Sequence, residues 1–334
     1  MGSMKDVAKL AGVSVSTVSR VITGNIPVEQ RTRVRVEDAI RAVNYRPNLI
    51  ARGLRSKNSN LIGLVVPEVI HATFTSFIKY TEEIVNRHGY NLILGNTQSD
   101  PEVEEQFIDT LLRRNVDGVI FCRVSDRSRV LGILERTNVP IVVLDRSLGS
   151  ENVHIPLVSL NNRMAGVLAA EHLADLGHAH CACITGPMDI ALSRKRLEGF
   201  KSHIESRGLC LDATAVVEGD FRFGSGVQAM RTLFERRAKF SAIWAQSDLM
   251  AIGALQELRR RGIAVPEEVS LIGMDDINLA EMVVPTLTTI AQPFERMCEE
   301  AVQLILRQKE NKPVPERRVV LDPKLIIRES TART

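Results

Sequence analysis

From residue 61 to the carboxyl end, short apolar runs alternate with helical windows, and few folds accommodate that pattern. The runs fall at 61–66, 92–94, 118–121, 141–144, 181–184, 242–245 and 271–273. Between them lie windows with apolar residues at three- and four-residue spacing, among them 74–88 before Gly89, 161–176 before Gly177 and 248–261 before Gly262. Apolar runs without polar alternation read as strands buried on both faces, as in parallel sheets covered by helices. A glycine just past the last periodic residue reads as a helix stop. About nine strands over roughly 270 residues exceed one small sheet, so the pattern predicts an α/β core of two Rossmann-like, parallel-sheet subdomains with a cleft between them. Ligands of such folds bind outside the carboxyl ends of the strands.

The first 60 residues follow different rules. Apolar positions at helical spacing are interrupted at Gly12 and again at residues 24–27, which predicts three short helices, an all-α head. The first holds Val7, Ala8, Leu10 and Ala11; Ser14 N-caps the second, over 15–22; the third spans about 29–43, with Val34, Ala39, Ile40 and Val43 closing a small core. Two helices joined by about three residues make a helix-turn-helix. Residues 1–3 are given no role. Pro47 ends the head, and residues 49–54 form a helix too short to persist alone, which a partner must order. Charge separates the same regions: residues 1–60 carry eleven lysines and arginines against four acids, whereas the remainder is mildly acidic. A basic head on an acidic body is the layout of a polyanion-binding module joined to something with another task.

No apolar run reaches the ~18 residues of a membrane span, and no charged-then-apolar leader opens the chain. Five scattered cysteines do not make a disulfide framework, so a cytoplasmic protein is expected. His178, His180, Cys181 and Cys183 have metal-ligand types at alternating positions, but the two cysteines fall on a predicted buried strand and are read as core. No HExxH, GxSxG, GxGxxG or Walker-type loop occurs, so neither catalysis nor a cofactor is expected.

Asp6-Val7-Ala8-Lys9-Leu10-Ala11-Gly12-Val13-Ser14, Ser16-Thr17-Val18-Ser19-Arg20-Val21-Ile22 and Asn44-Tyr45-Arg46-Pro47-Asn48 resemble the DNA-binding head of the lactose-repressor family. The likeness continues through Ile62-Gly63-Leu64-Val65-Val66-Pro67, Gly177-His178, Arg196-Leu197-Glu198-Gly199-Phe200 and Val269-Ser270-Leu271-Ile272-Gly273-Met274-Asp275-Asp276, with the body most similar to the purine and cytidine repressors. The resemblance implies a helix-turn-helix head at 4–47, a hinge helix and linker at 48–60, and a two-lobed core like a periplasmic binding protein. The first lobe would take 61–160 and 292–320, the second 161–291 and 321–330. It also implies a homodimeric repressor on a palindromic double-stranded operator, controlled by a sugar, sugar acid or sugar phosphate in the cleft, with a nucleoside or purine as the alternative effector. A sugar-binding receptor without DNA function is the competing class, opposed by the head.

By resemblance, Val15, Ser16 and Arg20 are base readers, and Thr17, Asn25 and Arg31 contact the DNA backbone. Ala51, Leu54 and Arg55 serve the hinge, Leu54 as a minor-groove wedge. Effector contacts carry over to Thr73, Phe74, Arg196, Phe221, Ser247 and Asp275. Arg123 and Arg146 follow predicted strands and, with Arg196, suggest a cationic pocket for an anionic sugar. Ile190, Ala191 and Leu192 are apolar where the purine repressor has polar contacts, which disfavours a purine. The wedge is testable: Leu54→Ala cuts operator affinity sharply and leaves effector binding intact, and unchanged operator affinity in an anisotropy titration refutes it.

Overall fold

A computed structural model describes residues 2–23, 26–45, 58–123, 130–134, 136–145, 154–314 and 316–334. Asn25, the hinge residues Ala51, Leu54 and Arg55, and Arg146 lie outside the described residues. The chain forms two compact units, Met1–Asn60 and Leu61–Thr334.

The first unit contains α1 (Met4–Ala11), α2 (Val15–Thr23) and α3 (Gln30–Ala42). Its turns are set by local chemistry. Ser3 and Asp6 form a capping box at the start of α1, so a residue expected to have no role caps the first helix. Gly12, at φ +61°, ends that helix in the left-handed conformation where a Cβ is strained. Ser14 Oγ accepts the Thr17 backbone N–H at 3.1 Å and so caps α2. Val7, Ala8, Ala11, Val18, Val21, Val36 and Ala39 are the buried core. Val34, expected there, is 44% exposed, because the phase of α3 turns Val36 inward instead.

The second unit is built on two six-stranded sheets. The first has β1 (Leu61–Val66), β2 (Asn91–Asn96), β3 (Gly118–Phe121), β4 (Ile141–Leu144), β5 (Leu157–Leu160) and β11 (Arg318–Leu321), in the order β11-β5-β4-β3-β1-β2. The second has β6 (Cys181–Thr185), β7 (Val216–Glu218), β8 (Ala242–Ala245), β9 (Ser270–Asp275), β10 (Thr288–Ala291) and β12 (Lys324–Ile326), in the order β12-β10-β9-β8-β6-β7. All pairings are parallel except β10 with β12. The strands beyond those expected are β5, β7 and β10 to β12, short segments with weak apolar runs.

Alternation along each strand divides the sheets into inner faces. In the first sheet, Ile62, Leu64, Ile120 and Val142 pack under α4 (Ala72–Arg87) and α11 (Phe294–Lys309), while Val65, Val119, Phe121 and Val143 pack under α5 (Pro101–Arg113) and α6 (Val130–Leu134). In the second, Ile184, Ile243 and Leu271 meet α9 (Phe223–Glu235) and α10 (Asp248–Arg260), while Cys181, Cys183, Trp244 and Ile272 meet α7 (Asn162–Asp175) and α8 (Ala191–Ser206). The chain passes between the lobes three times, from β5 to α7, from β10 to α11 and from β11 to β12. Pro293 and Pro323 stiffen two of these passages, and Asn161 Nδ2 donates to Asp322 Oδ1 at 2.8 Å, tying the first passage to the third.

The histidine–cysteine stretch is structural. Cys181 and Cys183 are fully buried, and burial raises the Cys181 thiol to about 12 and the Cys183 thiol further. His178 Nε2 donates to the Ala332 carbonyl, and its Nδ1 lies 2.9 Å from Ser241 Oγ. The histidine thereby fastens the C-terminal tail to the second lobe.

α7 and α8 approach unusually closely. An added Cβ on Gly166 would lie 2.1 Å from the Arg196 carbonyl oxygen, and one on Gly199 2.0 Å from that of Arg163. Gly166→Ala therefore forces the two helices apart, costing about 1–3 kcal/mol. A thermal melt of the variant is expected to fall by several degrees, and an unchanged melt refutes the close-packing argument.

Candidate functional site

The carboxyl ends of both sheets converge on a cavity of about 360 Å³ between the lobes. That size lies at the small end of ligand sites. Its buried floor combines Thr73 and Phe74 at the start of α4, Asp145 after β4, Leu192 and Arg196 on α8, Asp275 at the end of β9 and Gln292 after β10. Glu68, Ser99, Asp189, Asp220 and Arg222 line its more exposed part.

Arg196 is the floor's cation. Its Nε donates to Asn162 Oδ1 at 2.8 Å and its Nη1 to the Gln246 carbonyl at 3.0 Å, which holds the buried guanidinium in one orientation. Asn162 opens α7 directly after the first inter-lobe passage, and Gln246 follows β8, so two separate segments fix this one side chain. Gln246 is anchored in turn, donating from Nε2 to the Ser193 carbonyl and accepting the Gly186 N–H.

Asp275 accepts Gln292 Nε2 at 2.6 Å. Burial raises its carboxyl to about 6, an effect offset in part by the Arg196 charge and by hydrogen bonding from Gln292 and Thr73, and reinforced by Asp145. The fully buried Asp248 stands behind it and is likewise raised well above the ordinary range, chiefly by burial and then by Asp275. Asp248 Oδ1 accepts the Thr289 hydroxyl at 2.6 Å and Oδ2 accepts the Ile277 N–H at 2.9 Å, pinning the turn that follows Asp275.

Three rings form an aromatic wall. His71 meets Phe74 at 5.3 Å between centroids and Phe221 edge-on at 6.0 Å, so the contact crosses from the first lobe to the second. The Phe221 ring rests on Gly186, where an added Cβ would lie 1.9 Å from ring carbon Cζ. Asp145, Phe221 and Asp275 have φ of +69°, +67° and +114°. Non-glycine residues rarely adopt such angles, and their concentration at one cavity marks a site whose side-chain directions are imposed by the surrounding fold.

Of the effector residues expected from sequence, Thr73, Phe74, Arg196, Phe221 and Asp275 meet at this cavity. Ser247 lies outside its lining: it is buried as the N-cap of α10, and its hydroxyl donates to the Phe221 carbonyl, so it supports the wall from behind. Arg123 is buried beyond β3 and is also absent from the lining. Among the described residues the wall carries Arg196 and Arg222 against Glu68, Asp145, Asp189, Asp220 and Asp275, an acidic balance, while Arg146, one of the three arginines expected here, lies outside the described residues. Sequence reading missed His71, Asp145, Asp189 and Gln292; their positions at strand ends and helix starts were the available signal.

In the first unit, Val15, Ser16 and Arg20 are exposed on α2, while Val18 and Val21 are buried. Thr17 Oγ1 lies 2.9 Å from Ser14 Oγ, within the helix cap, and Arg31 is exposed at the start of α3. The three expected base readers therefore stand on the solvent face of the second helix of a helix-turn-helix.

The sequence model of bacterial regulatory proteins, lacI family, matches residues 3–48, and that of the periplasmic binding protein-like domain matches 170–331. The ribose operon repressor of Escherichia coli (strain K12) is 34% identical over 331 residues, covering 99% of this chain and 100% of the relative. The chain belongs to the lacI family. It is accordingly a DNA-binding transcriptional repressor controlled by a small effector. The repressor CytR of Escherichia coli (strain K12) is 35% identical, covering 98% of this chain and 96% of that protein. Among solved structures, the lac repressor dimer bound to operator and the anti-inducer ONPF matches with a TM-score of 0.89 at 28% identity over 99% of each chain. The transcriptional regulator CelR in its cellobiose complex matches with a TM-score of 0.76 at 32% identity, covering 99% of this chain and 100% of that one.

The Asp275 titration has a testable sign. With a folded pKa of about 6 against an ordinary value of 3.8, proton uptake by Asp275 favours the native state fully below pH 3.8, and this contribution is lost as pH rises through about 6. The ionised form at neutral pH thus costs on the order of 3 kcal/mol. Asp275→Asn is expected to raise the ligand-free melting temperature at pH 7.5 and not at pH 4; equal shifts at both pH values refute the assignment.

Proposed function

We propose that this repressor binds a palindromic operator as a homodimer through its first unit and is controlled by a small neutral sugar in the cleft of the second. What carries the reading is the floor of the cavity, where a fixed guanidinium, two carboxylates and the Gln292 amide converge beside aromatic rings. Carboxylates accept hydrogen bonds from hydroxyls, the guanidinium donates to ring and hydroxyl oxygens, and the rings cover the apolar face of the ligand. An acidic wall disfavours phosphorylated sugars and sugar acids. The names ribose operon repressor and CelR-cellobiose complex support a sugar. Thr73, Phe74, Arg196, Phe221 and Asp275 are the direct contacts in this reading, with Ser247 supporting Phe221.

A nucleoside is the second reading, favoured by the close grouping of His71, Phe74 and Phe221, whose faces suit a planar base. On the DNA side, Val15, Ser16 and Arg20 read bases and Thr17, Asn25 and Arg31 contact the backbone. Ala51, Leu54 and Arg55 serve the minor groove. The reading gives the chain no catalytic step and places it in the cytoplasm, in keeping with the absence, among the described residues, of a helix long and apolar enough to cross a membrane.

A thermal-shift screen of the full chain against ribose, cellobiose, ribose 5-phosphate, gluconate, cytidine and adenosine tests the effector. A ligand at 100 times its Kd adds about 2.7 kcal/mol, a shift of several degrees. Stabilisation by a neutral sugar is expected; stabilisation by the anionic sugars alone overturns the charge argument, and by nucleosides alone selects the second reading. An operator recovered by selection from a palindromic pool is expected to lose affinity steeply with rising salt, and a flat dependence overturns the DNA assignment.

A further inference from the structure

The two lobes touch across the cavity at its exposed side. Arg222 Nη2, on the second lobe, donates to Glu68 Oε2, on the first, at 2.7 Å. Both residues line the cavity. Arg222 follows Phe221 in a turn that is tightly specified by its own hydrogen bonds: Gly219 N–H donates to the Thr185 carbonyl, Arg222 N–H to Asp220 Oδ1, and Ser225 Oγ to the Arg222 carbonyl. Within that turn Phe221 has φ +67°, which sends its ring into the cleft while the next side chain reaches out to Glu68. On the opposite lobe, Glu68 sits in an equally local turn, its carbonyl accepting the His71 N–H, and His71 is the residue whose ring meets Phe221. An ion pair and a ring contact thus join the same two turns across the cleft.

We propose that Glu68 and Arg222 are a positioning pair for the effector site: their inter-lobe ion pair holds the 219–222 turn so that the Phe221 ring is aimed at the ligand and the cleft is held closed over it. The inference rests on the reading of this cavity as the effector site. Neither side chain need touch the ligand. Each lobe has its own sheet and its own core, and the chain passages between them lie at the hinge, so contacts at the open side govern how far the cleft gapes. A partly exposed pair is individually weak, but it acts at the far end of the lever where small changes in lobe angle are largest.

The test uses the full chain and four variants, E68R, R222E, the double swap E68R/R222E, and E68Q. Ribose affinity by calorimetry and, without ligand, backbone hydrogen exchange of peptides covering 68–74 and 219–225 are the readouts. Each single reversal places like charges face to face and is expected to weaken ribose binding about 10-fold and to speed exchange at 219–225, whereas E68Q has an effect of about 3-fold. The swap is expected to return both readouts to within about 3-fold of wild type. A merely structural role for either residue would leave the swap as impaired as the singles. Wild-type behaviour of both single reversals, or failure of the swap to recover exchange, overturns the positioning role. Should no sugar or nucleoside bind the wild-type chain while exchange still follows loss and recovery, the effector reading falls and the pair stands.

Discussion

The architecture of the second unit depends on one buried charge. A guanidinium out of water is tolerated only when its hydrogen-bonding and electrostatic needs are met locally. Arg196 meets them with Asn162 Oδ1, the Gln246 carbonyl and the nearby Asp275 carboxylate. These partners stand at a chain passage between lobes, at the end of a central strand and at the end of its neighbour, so that satisfying one side chain brings together elements from the whole second lobe. The glycines at 166 and 199 belong to the same requirement, since α7 and α8 must lie almost in backbone contact for Asn162 and Arg196 to meet.

Opposing demands accumulate around that charge. Asp275 and Asp248 are both buried, and the Asp275 charge makes ionisation of Asp248 harder. Four non-glycine residues lining the cavity, Ser99, Asp145, Phe221 and Asp275, are held at positive φ. None of these features helps a ligand-free fold, and together they describe a site organised in advance for a small effector. The energy stored there is returned when a ligand binds, which is how binding can change the relative stability of lobe arrangements and be felt by the DNA-binding unit.

The first unit works by simpler means. Short helices with caps at Ser3 and Ser14 and a left-handed glycine at 12 bury a few small aliphatic residues and leave Val15, Ser16 and Arg20 to solvent. A core of valines and alanines is enough to orient the helices and too small to do much more. Affinity for DNA then has to draw on charge, in which residues 1–60 are rich.

Local pattern alone determined much of this. Apolar runs such as 118–121 and 141–144 match their strands because a strand buried on both faces has no choice but to be apolar throughout. The helix stops at Gly89, Gly177 and Gly262 follow from left-handed backbone that glycine adopts without strain. Family resemblance placed Arg196, Phe221 and Asp275 at one cavity. Sequence reading failed where position depends on the partner across the fold. Val34 and Val36 differ only in helical phase, β7 and β12 are edge strands ordered by pairing with β6 and β10 of their own sheet, and Arg123 and Ser247 each follow a strand yet lie outside the cavity lining. The acidic balance of the cleft among the described residues was equally hidden, because Glu68, Asp145, Asp189 and Asp220 are far apart in the chain. Burial, charge balance and ring contacts are properties of neighbours in space, and only the tertiary structure decides who those neighbours are.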